Sequence, residues 1–462
     1  MSLWTPAELI EATGGALSAP FTAEGVSIDT RTLQPNDLFI ALLGEGRDGH
    51  AFVAAAIAKG AAGAMVHGDV ASEPVLRVDD TLAGLQRLGA FARSRFTGDR
   101  VAAITGSVGK TTSKEMLRSV LSVFGPTHAA TASYNNHWGV PLTLARMPRD
   151  TRYLVAEIGM NHPGEIAPLS RLVRPHVALI TTIARAHVGH MGGIEGVADE
   201  KASIAAGLEP NGIAVLPIDS DQFARLCGGV GKAQVLTFGA NTAADIRLLA
   251  AASDADGSRV EADLAGRTVA FRINAPGAHM AMNAVAVLAT VVAMGLDPMA
   301  AIAGLEAFEP LAGRGQRRVV SLPDGELLLL DESYNANGAS MRAAFDVLRL
   351  QTARRRIAVL GDMLELGEEG PAEHAGLAES LGRSADLLFA CGPLMRHLFD
   401  AVPAAMRAAH AANSQELAPI VAAAIAAGDA VLVKGSLGSR MKRVVQAIDG
   451  AASMTPSPAG AV

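Results

Sequence analysis

Between Ile104 and Met116 the chain reads ITGSVGKTTSKEM, a glycine loop that closes on a lysine and two threonines. Val101 to Ile104, just ahead of it, is an apolar run of strand length, and from Lys114 to Phe124 apolar side chains recur at helical spacing. A strand, a glycine loop and a helix in that order make a phosphate cradle. Gly106 and Gly109 let amide N–H groups turn inward on an anion, Lys110 adds positive charge, and a hydroxyl from Thr111 or Thr112 reaches a phosphate-bound Mg²⁺. Thr105, Ser107 and Val108 complete the loop, and the expected ligand is ATP. Ile104 stands where the strict Walker pattern has its first glycine, so the match is the shorter T-G-x-x-G-K-T-T. An ordinary strand-to-helix turn with a surface lysine is the competing reading, and the flanking strand and helix weigh against it.

A chain of 462 residues exceeds one ordinary core, so two or three domains are expected. Half the residues are hydrophobic, and a net charge of -7 with scattered Lys and Arg offers no basic face to nucleic acid. The two cysteines, Cys227 and Cys391, lie far apart and read as buried free thiols, not as a disulfide framework or metal site. The opening MSLWTPAELIEATGG has no basic region followed by an apolar run, and apolar stretches break well before membrane-spanning length. A reducing cytoplasm is the expected setting, and a monomer the expected state.

The pattern along the chain is α/β in three units. Residues 1–99 carry a strand at Leu38 to Leu42 and a helix from His50 to Lys59. Residues 100–312 hold the phosphate loop and parallel strands at Tyr153 to Ile158, Val177 to Thr181 and Ile213 to Leu216, then a β insertion from Asp245 to Ile273 that turns at Asp256-Gly257. Residues 313–450 restart the alternation with strands at Leu327 to Leu330, Ile357 to Leu360, Leu387 to Ala390 and Val431 to Val433. The tail, 451–462, is rich in Pro, Ser and Ala and is expected to be disordered.

Several polar groups stand where such sheets present chemistry. Tyr153 to Glu157 is an apolar strand ending in a carboxylate, the place for a metal ligand beside a phosphate loop, or simply an acid capping the next turn. His187 follows another strand; alone it reads as a structural histidine, but beside a phosphate loop and carboxylates it becomes a candidate for a second cation. Lys201, on the helix behind it, is by default a solvated lysine. Asn283, amid alanines and valines, is either a core amide or a reader of an adenine edge. Arg314 sits at the proposed junction, as a linker charge or as a group that steadies a transferring phosphate. In the last unit Asp331, Glu332, Asn335 and Asn337 follow one strand, Asp362 the next and Lys434 the last; three polar clusters at carboxyl ends of strands make a binding face.

Four segments resemble the Mur ligases of bacterial peptidoglycan synthesis: Asn135-Asn136-His137-Trp138-Gly139-Val140-Pro141-Leu142-Thr143, Glu157-Ile158-Gly159-Met160-Asn161-His162-Pro163-Gly164-Glu165-Ile166, Ser333-Tyr334-Asn335-Ala336-Asn337 and Leu360-Gly361-Asp362-Met363-Leu364-Glu365-Leu366-Gly367. The resemblance covers nearly the whole chain outside the tail and points to the branch that joins D-alanyl-D-alanine to UDP-N-acetylmuramoyl-tripeptide. It implies a small N-terminal UDP-binding domain, a central P-loop ATPase domain with a mostly parallel sheet and a C-terminal Rossmann-like domain. It also implies ATP-dependent amide formation through an acyl phosphate. On that resemblance Lys110 holds the triphosphate, Thr111 and Glu157 hold one Mg²⁺, and His187 with a carbamylated Lys201 serves a second. Asn283, Asp331 and Glu332 face adenine and ribose, and Arg314 faces the γ-phosphate. Ser27, Asp29, Thr30, Arg31, Asp48 and His50 resemble the UDP-sugar segment, and Asn135, Asn136, Asn335, Asn337, Asp362 and Lys434 fall to the remaining substrate contacts. Two positions depart from the family pattern: Gly338 stands where proline is usual and Leu437 where arginine is common. A sister ligase adding one amino acid to a muropeptide or to folate would share the loop and Glu157 but lack the last two segments. A non-catalytic nucleotide-binding partner of a cell-wall complex would bind nucleotide without forming an amide.

Overall fold

The computed structural model describes residues 2–44, 46–131, 133–184 and 191–452. Three main sheets follow one another along the chain. The first has five strands in the order Ala16–Leu17, Val75–Arg77, Gly63–Val66, Asp37–Ile40 and Gly25–Ser27, all parallel except the first. The second has nine. From the edge at Thr127–Ala129 it runs in parallel through Tyr153–Glu157, Arg100–Thr105, Val177–Ile180, Ile213–Pro217, Gln234–Gly239 and Ile246–Ser253. Two antiparallel strands, Ser258–Leu264 and Arg267–Ile273, finish it. The third sheet has six strands, with Gln316–Leu322 antiparallel to Gly325–Glu332, then Asp429–Lys434, Arg355–Gly361, Leu387–Cys391 and Arg407–Ala411 in parallel.

The parallel strands are continuous apolar runs because helices cover both faces, which is the condition for such sheets. The three units are not joined alike. Leu38 and Leu85 of the first unit share one buried cluster with Val101, Leu154 and Ile180 of the second. Polar ties reinforce that seam: Trp4 Nε1 donates to the Ala145 carbonyl (3.0 Å), Arg146 Nε to Val26 (2.6 Å), and Arg149 to Glu8 Oε2 (2.5 Å). The two buried clusters of the third unit hold only its own residues. Its ties to the second unit include polar ones, such as Arg317 to the Asp256 carbonyl (2.6 Å) and Arg314 to Ser133 Oγ (2.7 Å). Shared apolar burial makes the first two units one body, whereas polar docking leaves the third freer to move.

Several expectations need adjustment. The insertion from Asp245 to Ile273 turns twice; the second turn sits at Ala265 (φ 53°) and Gly266 (φ 94°), the two left-handed residues of a tight hairpin in a pair that carries no Asn or Asp signal. Cys391 is buried but Cys227 is only half-buried. Lys201 is not solvated: it is 1% exposed. The expected tail begins inside the terminal helix, which runs to Ala452, and residues 453–462 lie outside the described ones, as does His187.

Candidate active site

The strand Arg100–Thr105 delivers the chain into the loop, and the helix Lys110–Phe124 leaves it. Gly109 is held at φ 85°, and a Cβ there would lie 2.7 Å from Asn283 Oδ1, so glycine is required both by the backbone and by the asparagine above it. At Gly106 (φ 150°) a Cβ would fall on Thr181 Oγ1, the hydroxyl that braces the loop by donating to the Val108 carbonyl (2.6 Å). Lys110 Nζ folds back onto the Gly106 carbonyl (2.6 Å). Desolvation lowers this ammonium below the ordinary lysine value; the Glu157 carboxylate opposes the shift, and the Arg314 cation adds to it. Two cations converging on one loop have an evident use if an anion lies between them.

Glu157 ends the strand next to the loop strand, in register with Ile104. Its carboxylate is buried and meets the first turn of the loop helix: Thr111 Oγ1 donates at 3.0 and 2.9 Å to its two oxygens, and Asn135 Nδ2 donates to Oε1 at 2.7 Å. Ser133 Oγ lies 3.2 Å from Thr111 Oγ1 and accepts from Arg314 (2.7 Å), whose guanidinium also stacks 4.1 Å over the Tyr334 ring. Ser133 was not among the expected residues; its position two places ahead of Asn135 was the available signal. Thr111 and Glu157 are oxygen donors of the kind a hard cation takes. Among the described residues no three His, Cys, Asp or Glu side chains converge on one point.

A cavity of about 1110 Å³ joins this face to the third unit. Ser107, Val108, Gly109, Lys110, Thr111, Thr112, Asn135, Asn136, Glu157 and Asn283 line it from the second unit, and Arg314, Glu332, Asn335, Asn337 and Lys434 from the junction and the third. Lys434 Nζ is buried and donates to Glu332 Oε2 (3.3 Å) and the Asn335 carbonyl (3.0 Å). Asn337 caps the helix Gly338–Arg349 by accepting from the Ser340 amide (2.9 Å), and Asn136 Oδ1 accepts from the Gly139 amide (2.9 Å).

Other expected residues stand apart. Asp331 turns away from the cavity to accept from the Gly313 and Ser333 amides (3.0 and 3.1 Å), which fixes the junction. Asp362 accepts from the Met395 amide (2.6 Å) and borders a smaller neighbouring cavity of about 590 Å³. Thr105 and Gly106 lie beneath the loop surface. In the first unit Ser27 Oγ donates to the Asp29 carbonyl (3.1 Å), Asp29 forks with the exposed Arg31, Thr30 accepts from Lys59 (2.9 Å), and Asp48 meets His50 Nδ1 at 2.6 Å. His50 Nε2 accepts from the His67 amide (3.0 Å), so its Nδ1 carries the proton toward Asp48. None of these six borders the large cavity.

Lys201 lies on the helix Ile194–Ala202 with its Nζ 3.8 Å from Met160 Sδ. Glu200, its sequence neighbour, is committed elsewhere, accepting from the Gly164 and Ile166 amides (2.8 Å each). Burial pushes the Lys201 amine well below the ordinary lysine value, the Lys110 charge pushes it further, and Glu200 opposes both.

The chain matches the Mur ligase middle domain over residues 104–291, the Mur ligase glutamate ligase domain over 313–437 and the Mur ligase family catalytic domain over 22–92. It is 34% identical to a UDP-N-acetylmuramoyl-tripeptide–D-alanyl-D-alanine ligase of Bacillus subtilis, over 91% of this chain and 92% of that one. The same activity names an Escherichia coli relative, 34% identical over 96% and 98% of the two chains. A crystal structure of MurF from Acinetobacter baumannii superposes with a TM-score of 0.84 at 30% identity, covering 97% of this chain and 99% of that one. MurF from Thermotoga maritima in complex with ADP gives 0.76 at 24%, covering 93% and 98%, a likeness of fold.

Proposed function

The chain belongs to the Mur ligase family, and from that premise we infer that it joins D-alanyl-D-alanine to UDP-N-acetylmuramoyl-tripeptide at the expense of ATP, yielding the pentapeptide precursor, ADP and phosphate. The observation that carries the reading is the shared site: the phosphate loop with Lys110, the Thr111–Glu157 pair and Arg314 face one cavity with Lys434 and Glu332 of the third unit. The tripeptide carboxylate attacks the γ-phosphorus and ADP leaves; the dipeptide amine then attacks the acyl carbon, phosphate leaves and the nitrogen loses a proton. Lys110 and Arg314, which line the same cavity, suit the charge that moves onto phosphate oxygens. Thr111 and Glu157 would hold Mg²⁺, which when bound neutralises phosphate charge. Lys201, read as a carbamate, would serve a second cation together with His187.

Asn283 beside Gly109 suits the base, with Glu332 toward the ribose and Asp331 acting through the junction. Ser27, Asp29, Thr30, Arg31, Asp48 and His50 would take the UDP-sugar; Asn135, Asn136, Asn335, Asn337, Asp362 and Lys434 suit the peptide portions. We place the boundaries at 1–99, 100–312 and 313–450. No helix among the described residues is long and apolar enough to cross a membrane, and a cytoplasmic location fits the soluble nucleotide substrates. Purified protein with ATP, D-alanyl-D-alanine and UDP-N-acetylmuramoyl-tripeptide carrying either diaminopimelate or lysine should release phosphate only when both peptides are present, with a product mass equal to the pentapeptide. Phosphate release that ignores the dipeptide would overturn the reading.

A further inference from the structure

Lys114 is a lysine with 0% exposure in the second turn of the loop helix, outside the cavity. Its Nζ donates to the Ala130 carbonyl (2.7 Å) and pairs with Glu115 Oε1 (2.8 Å), while Arg118 Nε holds Glu115 Oε2 (2.8 Å). Neighbouring residues on a helix point about 100° apart, so Lys114 and Glu115 meet only because both side chains are drawn to one spot. That spot is the end of the short edge strand Thr127–Ala129.

Burying an ion pair is a weak way to gain stability, since an apolar residue of like volume often serves as well or better. What an apolar residue cannot do is hold a carbonyl. Ala130 has left the sheet, and three and five residues on the chain supplies Ser133 to Thr111 and Arg314, and Asn135 to Glu157. The far end of this span is pinned, because the Gly159 amide donates to the Asn135 carbonyl (2.8 Å). The near end is pinned by Lys114. We propose that Lys114 is a positioning residue for the ligase reaction: through the Ala130 carbonyl it sets the path that places Ser133 and Asn135 on the Thr111–Glu157 pair and on Arg314. The proposal rests on the function given above.

The test is Lys114→Met, with Lys114→Gln as the variant that keeps a donor. In Lys114→Met the melting temperature should fall, because Glu115 keeps only Arg118 and the Ala130 carbonyl loses its donor. In the protein that remains folded kcat should fall roughly 10- to 100-fold, as for other supporting partners of a ligand set, and KM for the dipeptide should hold. Lys114→Gln should recover part of kcat. The discriminating readout is coupling: combined with Asn135→Ala, the loss should be much smaller than the product of the two single losses, because both act on Glu157. Wild-type kcat in a folded Lys114→Met, or losses that multiply independently, would overturn the proposal. If Lys114→Met does not fold, Lys114→Gln carries the same cycle, and the same independence would overturn it. Absence of ligation by the wild-type protein would instead fault the function and leave hydrogen exchange to judge the tether: the amides at 133–136 should exchange faster in either variant, and unchanged exchange would overturn it.

Discussion

Replacing Lys201 by methionine should separate two consequences that an ordinary buried lysine would tie together. The amine is 1% exposed, its neighbouring carboxylate is spent on the Gly164 and Ile166 amides, and the Met160 sulfur stands nearest at 3.8 Å. An ammonium in that place costs several kcal/mol, so methionine, close in volume, should leave folding stability unchanged or raise it by about 1–4 kcal/mol. The lowered basicity also means that the amine gives up its proton more readily than an ordinary lysine, and the neutral form adds CO₂: the nitrogen bonds to carbon, a proton leaves, and a carboxylate-like anion results. A carbamate supplies oxygen to a hard cation where an ammonium would repel it. Activity of Lys201→Met should therefore fall more than roughly 100-fold, beyond the loss typical of supporting groups. Lys201→Ala should be less stable by about 2–5 kcal/mol from the cavity it leaves, yet regain some activity with short carboxylic acids that fill the space. Carbon-13 NMR of wild-type protein under labelled CO₂ should show one carbamate that is absent from both variants. A fully active Lys201→Met, with no carbamate in the wild type, would refute the reasoning.

For Glu157→Gln, Thr111 and Asn135 keep a hydrogen-bonding partner but the anion is lost, so kcat should fall and the Mg²⁺ concentration for half-maximal rate should rise; an unchanged metal dependence would count against a ligand role. Arg314→Lys keeps charge but gives up the planar stack on Tyr334, and kcat should drop about 10-fold or more with little change in melting temperature, a split that steady-state kinetics and calorimetry resolve. Stability should also carry a pH signature from Glu8. Burial alone would raise this carboxyl, but the hydrogen bonds from Arg149 and Thr5 outweigh it and hold it at about 2, against an ordinary 4.5. A depressed carboxyl stabilises the fold above pH 4.5 and loses that contribution as pH falls toward 2, a difference of about 3 kcal/mol. Urea midpoints from pH 6 down to 3 should fall more steeply for wild type than for Glu8→Gln, and parallel curves would contradict the assignment.

What could be read in the chain was whatever depends on near neighbours. The phosphate loop declares itself because its glycines, lysine and threonines are contiguous, and Glu157 follows because the adjacent parallel strand must end beside the loop. Direction was harder to read. Asp331 and Glu332 formed one polar cluster in sequence, yet consecutive strand residues face opposite sides. Hence Glu332 meets Lys434 at the cavity while Asp331 braces Gly313 at the junction. Asp362 is likewise turned by the Met395 amide toward the smaller cavity.

Lys201 escaped for a different reason. A helix shows its polar face in sequence, but nothing local says that a second layer will cover it, and here the amine is buried with the Met160 sulfur against it and feels the Lys110 charge. The same limit explains the seams between units. Leucines at 38 and 85 look like any core residues, but they share burial with the central strands, so the first two units cannot shift without exposing apolar surface. Arg314 and Arg317 look like linker charges, but they reach Ser133 and the Asp256 carbonyl, contacts that water can replace. On the proposed function the two seams have different uses: the apolar one would keep the first unit fixed to the phosphate loop, and the polar one would let the last unit open for the dipeptide and close around the acyl phosphate.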